Sequence, residues 1–178
     1  FIPNIKKNIS QTFGSEKDSK VPEGLWQSCD NCGSILYIPE LKKNSFVCSK
    51  CSYHLKINTQ QRIEITFDKD SYQSLNEEEK FRDFLNFRDT KKYKDRFQEA
   101  SKKSNCDEAL SIGIGEIKGI QVTTAIFEFD FLGGSMGAVV GKRFADIVDL
   151  SLKKKIPLVC FSTSGGARMQ ESMISLFQ

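Results

Sequence analysis

The sequence predicts an α/β protein preceded by a small metal-bound module. Three observations carry that expectation. Residues 120–178 read strand, glycine loop, helix, strand, glycine loop, helix. Alternation of this kind points to an α/β core with buried parallel strands. Cys29, Cys32, Cys48 and Cys51 form a C-x2-C-x15-C-x2-C array, the spacing of a four-cysteine metal site. Between them the texture changes at residue 109, from a charge-dense stretch to alternating apolar and small residues.

The bulk numbers set bounds. A chain of 178 residues holds one ordinary domain, or a small module and part of a larger one. Hydrophobic content is 39% and charged content 28%, as in globular proteins. No apolar run approaches the roughly 20 residues that a membrane helix needs. A net charge of +3 is too mild to argue for nucleic acid or anionic lipid on charge alone. The chain starts at Phe1, and its first twenty residues mix Lys6, Lys7, Glu16 and Asp18, so an N-terminal trim and no secretory signal are expected. Six cysteines without such a signal argue for thiols or metal ligands over disulfides.

The elements follow in order. Residues 1–24 read as a flexible leader, 25–57 as the four-cysteine module and 58–178 as the α/β part. Within 58–108, apolar residues recurring among charges predict helices around Glu77–Phe87 and Lys91–Lys103. The stretches "LSIGIGEI" and "IQVTTAIFEFDF" alternate and predict a hairpin turning at Lys118-Gly119. After "LGGSMG" (132–137), Phe144, Ile147, Val148 and Leu152 form a helical stripe, and Lys153, Lys154 and Lys155 suit a helix C-terminus. "IPLVCF" is the next strand, with Cys160 as a core residue, and "SGGA" opens the last helix.

Two cysteine knuckles make a tetrahedron of thiolates, which leaves no open position, so the metal is expected to be structural. Zinc fits, and iron shares the ligands. His54, the single histidine, is a rival to Cys51 as ligand, though the spacing favours the cysteines. Trp26, Tyr37 and Tyr53 with Lys42, Lys43, Lys50 and Lys56 offer a stacking, basic face for nucleic acid. A solvated surface with aromatics packed around the metal is the favoured alternative at this charge.

Glycines at a strand-to-helix junction bring backbone N–H groups close to a ligand. Such a loop binds phosphate or stabilises an oxyanion, or it is only a tight turn. Neither loop is G-x-G-x-x-G or G-K-[ST]; Gly133–Gly137 does spell G-x-S-x-G, but without a usable histidine a serine triad is weak. Any catalysis in residues 109–178 must proceed without histidine.

Taken together, "GLWQSCDNCG", "VCSKCSYHLK", "FRDTKKYKDR", "FEFDFLGGSMGAVVGKRF" and "FSTSGGARMQES" resemble the carboxyltransferase β subunit of the multi-subunit acetyl-CoA carboxylase of bacteria and plastids. The resemblance covers residues 22–178 in matching order. It implies a crotonase-like (ClpP/crotonase) α/β core, incomplete at the C-terminus, carrying an N-terminal four-cysteine zinc ribbon. It implies transfer of a carboxyl group from carboxybiotin, on the biotin carboxyl carrier protein, to acetyl-CoA, giving malonyl-CoA for fatty acid biosynthesis. The family pattern places an oxyanion-hole donor on Gly165, Gly166 and Ala167, and the acyl-CoA-side loop on Gly133, Gly134, Ser135 and Gly137. Arg168 contacts CoA or braces the turn. The proton is taken by biotin itself, so no side chain is needed as base. The implied partners are a carboxyltransferase α subunit, in an α2β2 assembly, the carrier protein and biotin carboxylase, in an ATP-binding complex of the bacterial cytoplasm or the plastid stroma. Family members continue past Gln178, so these residues by themselves are expected to be inactive. Two rival readings are a zinc-ribbon nucleic-acid binder and a non-catalytic scaffold of the complex.

Overall fold

The computed structural model describes residues 24–76 and 83–178, and the chain divides into two compact units, Phe1–Tyr53 and His54–Gln178. In the first unit, β1 (Trp26–Ser28) and β2 (Ile35–Tyr37) pair antiparallel, with Trp26 opposite Tyr37. Helix α1 (Ile38–Lys43) follows at once. Pro39 lies in its first turn, where no helical N–H is lost. Leu36, Leu41 and Phe46 are the buried apolar side chains of this small unit, with Cys29 and Cys48.

The second unit is built on a four-stranded sheet of order β3-β4-β5-β6. Helix α2 (Thr59–Thr66) starts at a reciprocal cap, in which Asn58 and Gln61 each accept the other's backbone N–H at 2.9 Å. Strand β3 is Gln73–Ser74, and helix α3 spans Tyr93–Ser104. Asn105 ends α3 in the left-handed region at φ 55°, which Asn tolerates. Strands β4 (Leu110–Ile117) and β5 (Ile120–Phe127) form the expected hairpin. Both turn residues have positive φ, 52° at Lys118 and 73° at Gly119, the twist a two-residue hairpin needs. Asp68 holds that turn, accepting the N–H of Lys118 at 3.0 Å and of Gly119 at 2.7 Å.

Helix α4 (Ala138–Lys154) carries the chain across the sheet to β6 (Leu158–Phe161), which lies parallel to β5. A short helix α5 (Met173–Phe177) follows. One face of the sheet packs Leu110, Ile112 and Ala125 with Ala100, Phe131, Val140 and Ile147. The other packs Val122 and Ile126 with Phe67. On β4, Gly113 and Gly115 leave room for two rings. A Cβ on Gly113 would lie 2.3 Å from the Tyr72 hydroxyl, and one on Gly115 would lie 2.7 Å from Phe67. No helix among the described residues is long and apolar enough to cross a membrane.

Several expectations are corrected. The expected parallel pair is β5–β6 and the expected hairpin is β4–β5, but among the described strands β3 adds a further antiparallel edge and β6 is only partly buried. Part of the expected helix at 77–87 lies outside the described residues, and Asp83–Phe87 form a turn in which Asp83 accepts the Phe87 N–H at 3.0 Å. Cys160 is exposed, because its strand pairs with β5 alone among the described strands. The buried stripe of α4 is Val140, Arg143, Ile147 and Ser151, while Phe144 and Leu152 face outward. Arg143 can be buried because Asp107 accepts from it at 3.1 Å and the Leu110 carbonyl accepts at 2.8 Å. Finally, "SGGA" does not open a helix. After β6 the chain runs without regular structure, with Gly166 at φ 114°, to the bridge at Ala167, makes one 3-10 turn at Met169–Glu171, and becomes α-helical only at Met173.

Candidate metal centre and paired glycine loops

In the first unit the four cysteines converge. All four sulfurs lie within 4.8 Å of one another. Cys29 and Cys51 approach to 3.7 Å, and Cys32 and Cys48 to 3.8 Å. Sulfurs bound tetrahedrally at roughly 2.3 Å from a zinc ion stand about 3.8 Å apart, so the residues fit a metal of that size. The two knuckles are built alike. Gly33 and Ser52 have φ 69° and 58°, and their N–H groups donate to the carbonyls of Cys29 and Cys48, each at 2.9 Å. Each left-handed residue turns the chain so that its two thiols face one point. The four thiols do not ionise alike: hydrogen bonding at Ser34 draws the Cys32 thiol down, while Cys29 is pushed up to about 11. His54 is not part of this cluster. Trp26 is half exposed, and its ring tilts against Tyr37 with centroids 5.0 Å apart.

In the second unit the two glycine loops lie side by side. The first follows β5 and leads into α4; the second follows β6. Gly165 N–H donates to the Gly133 carbonyl at 2.9 Å, Met136 N–H to the Gly166 carbonyl at 2.9 Å, and Arg168 N–H to the Met136 carbonyl at 2.8 Å. Met136 and Ala167 thus form an isolated parallel bridge. Gly134, at φ 66°, has no room for a side chain, because its Cβ would sit 2.3 Å from the Thr163 carbonyl oxygen.

The bridge decides which N–H groups are free. Met136 bonds to the residues on either side of Ala167, so the Ala167 N–H points the other way, as in any parallel ladder. It makes no hydrogen bond within the described residues, and Ala167 is exposed. Gly166 N–H is already taken by the Ser164 hydroxyl at 3.0 Å. Of the three residues expected to carry an oxyanion donor, the geometry leaves Ala167 with the open one.

Beneath the loops lies a buried ionic cluster that sequence reasoning did not locate. Arg168 is fully buried. Its guanidinium donates to both carboxylate oxygens of Glu108, to the Tyr93 hydroxyl at 3.2 Å, and to Ser135 at its hydroxyl (3.1 Å) and its carbonyl (2.8 Å). With Glu171, which accepts from the same guanidinium at 3.4 Å, six acceptors surround the five N–H groups of the arginine, so nothing is left over for a ligand. Of the two roles open to Arg168, the geometry is that of a brace. Burial alone would lower its pKa, yet the paired Glu108 carboxylate holds it above its ordinary value. Burial also pushes the Tyr93 phenol up. Glu171, 5% exposed, accepts from Tyr93 at 2.6 Å and from the Ala138 N–H at 2.6 Å. It therefore caps the N-terminus of α4, filling a position an anionic ligand would otherwise use. A Cβ on Gly137 would lie 2.6 Å from that carboxylate, so this glycine makes room for Glu171. The signals for Glu108 and Glu171 were present but indistinct: each is one carboxylate in a polar stretch, and burial shows only in three dimensions.

A cavity of about 860 Å³ is lined by α2, residues 67–76 and Ser104–Cys106, among others, and by no residue of either glycine loop. The second loop instead lies open, with Ser162–Gly165 exposed.

A βαβ unit whose two strand ends carry stitched glycine loops defines a class of α/β protein with backbone donors at the strand termini. Comparison narrows it: residues 56–178 match the carboxyl transferase domain. The chain belongs to the carboxyl transferase domain family. Among solved structures it is similar to the transcarboxylase 12S core, described with methylmalonyl-coenzyme A and methylmalonic acid bound, at TM-score 0.50 and 25% identity. That match covers 68% of this chain and 22% of the other, so the chain spans about a fifth of the transcarboxylase's length. It is also similar to a Pseudomonas malonate decarboxylase MdcD-MdcE hetero-dimer (TM-score 0.47, 20% identity, 68% of this chain and 42% of that one). The β subunit of geranyl-CoA carboxylase from P. aeruginosa matches at TM-score 0.48 and 16% identity, over 79% of this chain and 21% of that one.

Proposed function

We propose that this chain is part of a biotin-dependent carboxyltransferase that makes malonyl-CoA from acetyl-CoA, as the β component of a multi-subunit acetyl-CoA carboxylase with a crotonase-like core. Three things support the reading: membership of the carboxyl transferase family, the resemblance of its motifs to that subunit, and a four-cysteine module fit for structural zinc. The observation that carries it is the exposed, unpartnered Ala167 N–H on the loop after β6.

The chemistry asks for one thing above all from this chain. When the acetyl methyl loses its proton, negative charge collects on the thioester oxygen. A fixed N–H aimed at that oxygen stabilises the charge without reorganising, and one such donor is worth about 10²–10³ in rate. Ala167 supplies it. The Met136 bridge holds Ala167 on both sides, and the Gly133 carbonyl fixes Gly165, so the donor is in place before substrate arrives. Carboxybiotin on a carrier protein would supply the carboxyl group and, once freed of it, a base for the methyl proton, so no side chain of this chain is needed for that proton. The carboxybiotin half of the site comes from a partner α subunit, and zinc on Cys29, Cys32, Cys48 and Cys51 keeps the first unit folded, since four thiolates leave no place for a reactant. Gly133, Gly134 and Ser135 flank the acyl-CoA side of the loop pair.

The test is carboxyl transfer by the holoenzyme that contains this chain. With carboxylated carrier protein, acetyl-CoA is turned over with the highest kcat/KM among acetyl-, propionyl- and geranyl-CoA. Absence of transfer to any acyl-CoA would overturn the reading; preference for a longer acyl group would overturn the substrate assignment.

A further inference from the structure

We propose that Arg168 and Glu171 are positioning residues for carboxyl transfer, a pair of grips by which the second glycine loop sets the first. The proposal rests on the carboxyltransferase reading above. Arg168 holds the first loop through both main chain and side chain. Its N–H reaches the Met136 carbonyl at 2.8 Å, and its guanidinium reaches the Ser135 carbonyl at 2.8 Å and hydroxyl at 3.1 Å. Three bonds thus fall on two consecutive residues. One turn later, Glu171 takes the Ala138 N–H at 2.6 Å. Residues 168 and 171 therefore grip residues 135, 136 and 138, and Gly137 between them lacks the Cβ that would push Glu171 away.

The grips are themselves held from outside the loops. Glu108, 1% exposed, comes from the segment before β4, and Tyr93, 1% exposed, from the first turn of α3. Tyr93 donates to Glu171 and accepts from Arg168, so it ties one grip to the other. Stability alone does not call for this arrangement. Taking charges out of water is costly, and apolar side chains of similar volume often replace a buried ion pair without loss. An apolar pair would not fix a carbonyl, a hydroxyl and an N–H on the neighbouring loop. The directed bonds fix the Met136–Ala167 bridge, and with it the direction of the Ala167 N–H. A misplacement of about 1 Å is enough to lower a rate about 10²-fold.

The experiment compares Arg168→Lys, Ser135→Ala, Glu171→Ala and Glu171→Gln in the holoenzyme, reading kcat and KM for acetyl-CoA beside the thermal midpoint. Arg168→Lys keeps the charge opposite Glu108 but loses the fork onto Ser135. The expected result is a fall in kcat of about 10- to 10²-fold, with KM within about twofold of wild type. Glu171→Gln, which keeps an oxygen for the Ala138 N–H, recovers most of the kcat that Glu171→Ala loses. Should Arg168→Lys fail to fold, Ser135→Ala decides. It leaves the ion pair intact and deletes a single bond, and a several-fold lower kcat at an unchanged midpoint is expected. A wild-type kcat in folded Arg168→Lys or in Ser135→Ala overturns the positioning role while leaving the carboxyltransferase reading intact. A wild-type holoenzyme that transfers no carboxyl group overturns both.

Discussion

Glu171 accepts the backbone N–H of Ala138 at 2.6 Å, so a carboxylate of the second glycine loop caps the helix that leaves the first. With the Met136–Ala167 bridge, this makes the two loops one mechanical unit. The consequences are measurable at the residues that build it.

Glu108 and Arg168 are 1% and 0% exposed. Removing one member of a buried pair leaves the other charged and alone, at a cost of about 3–5 kcal/mol. Glu108→Ala is expected to lower the denaturant midpoint accordingly. The ion pair of Lys91 and Glu99, at 2.7 Å but well exposed, serves as the control: Lys91→Ala leaves the midpoint unchanged, as for most surface pairs.

Gly133 and Gly134 differ although both have positive φ, 68° and 66°. A Cβ on Gly133 meets nothing within 4 Å, while one on Gly134 meets the Thr163 carbonyl at 2.3 Å. Gly133→Ala should cost only the backbone penalty, about 1–2 kcal/mol. Gly134→Ala must push the loops apart. Carboxyl transfer should survive the first and be lost in the second, with thermal midpoints falling in the same order.

Tyr72 supplies a pH dependence. Burial pushes its phenol up to about 12, above its value near 10 in an unfolded chain. A folded-state pKa raised in this way favours the neutral form. The contribution is therefore present in full below about pH 10 and is lost as pH rises toward 12. Its hydroxyl is buried and has no hydrogen-bond partner among the described residues. Tyr72→Phe should remove this alkaline loss and leave neutral-pH stability equal or slightly higher, since an unpaired buried hydroxyl costs about 1–3 kcal/mol. Chemical denaturation at pH 8 and pH 11 checks both.

The metal centre predicts one equivalent of zinc and its loss in Cys48→Ser, read by elemental analysis. Cys48 is 1% exposed in a unit with few other buried apolar side chains. Metal binding there is therefore largely folding free energy, and chelation should unfold residues 24–53.

Much of this was legible in the sequence, for identifiable reasons. The cysteine spacing, the hairpin at Lys118-Gly119 and the helix near 91–103 follow from local rules of ligand geometry, turn chemistry and periodicity. Helix α2 was legible but missed: Asn58 and Gln61 stand at capping-box spacing, while its apolar residues Ile63 and Ile65 made no clear stripe. What stayed hidden depends on contacts distant in the chain. Arg143 replaced Phe144 on the buried face of α4 because Asp107 waits opposite it. The segment after Gly166 stayed extended because Met136 pairs with it. No periodicity reports a partner thirty residues away. The motif around Gly165 was visible; that, of Gly165, Gly166 and Ala167, it is Ala167 that keeps an open N–H was visible only once Gly133, Ser164 and Met136 were placed.

The most direct test therefore removes that one hydrogen. Replacing Ala167 by the corresponding α-hydroxy acid turns its N–H into an ester oxygen and keeps the methyl group. Because the N–H has no partner within the described residues, the holoenzyme should fold and assemble as before. Its kcat for carboxyl transfer to acetyl-CoA should fall by about 10²–10³. A wild-type kcat in the ester-bearing enzyme would contradict the account, since the loop's open donor would then not face the developing charge.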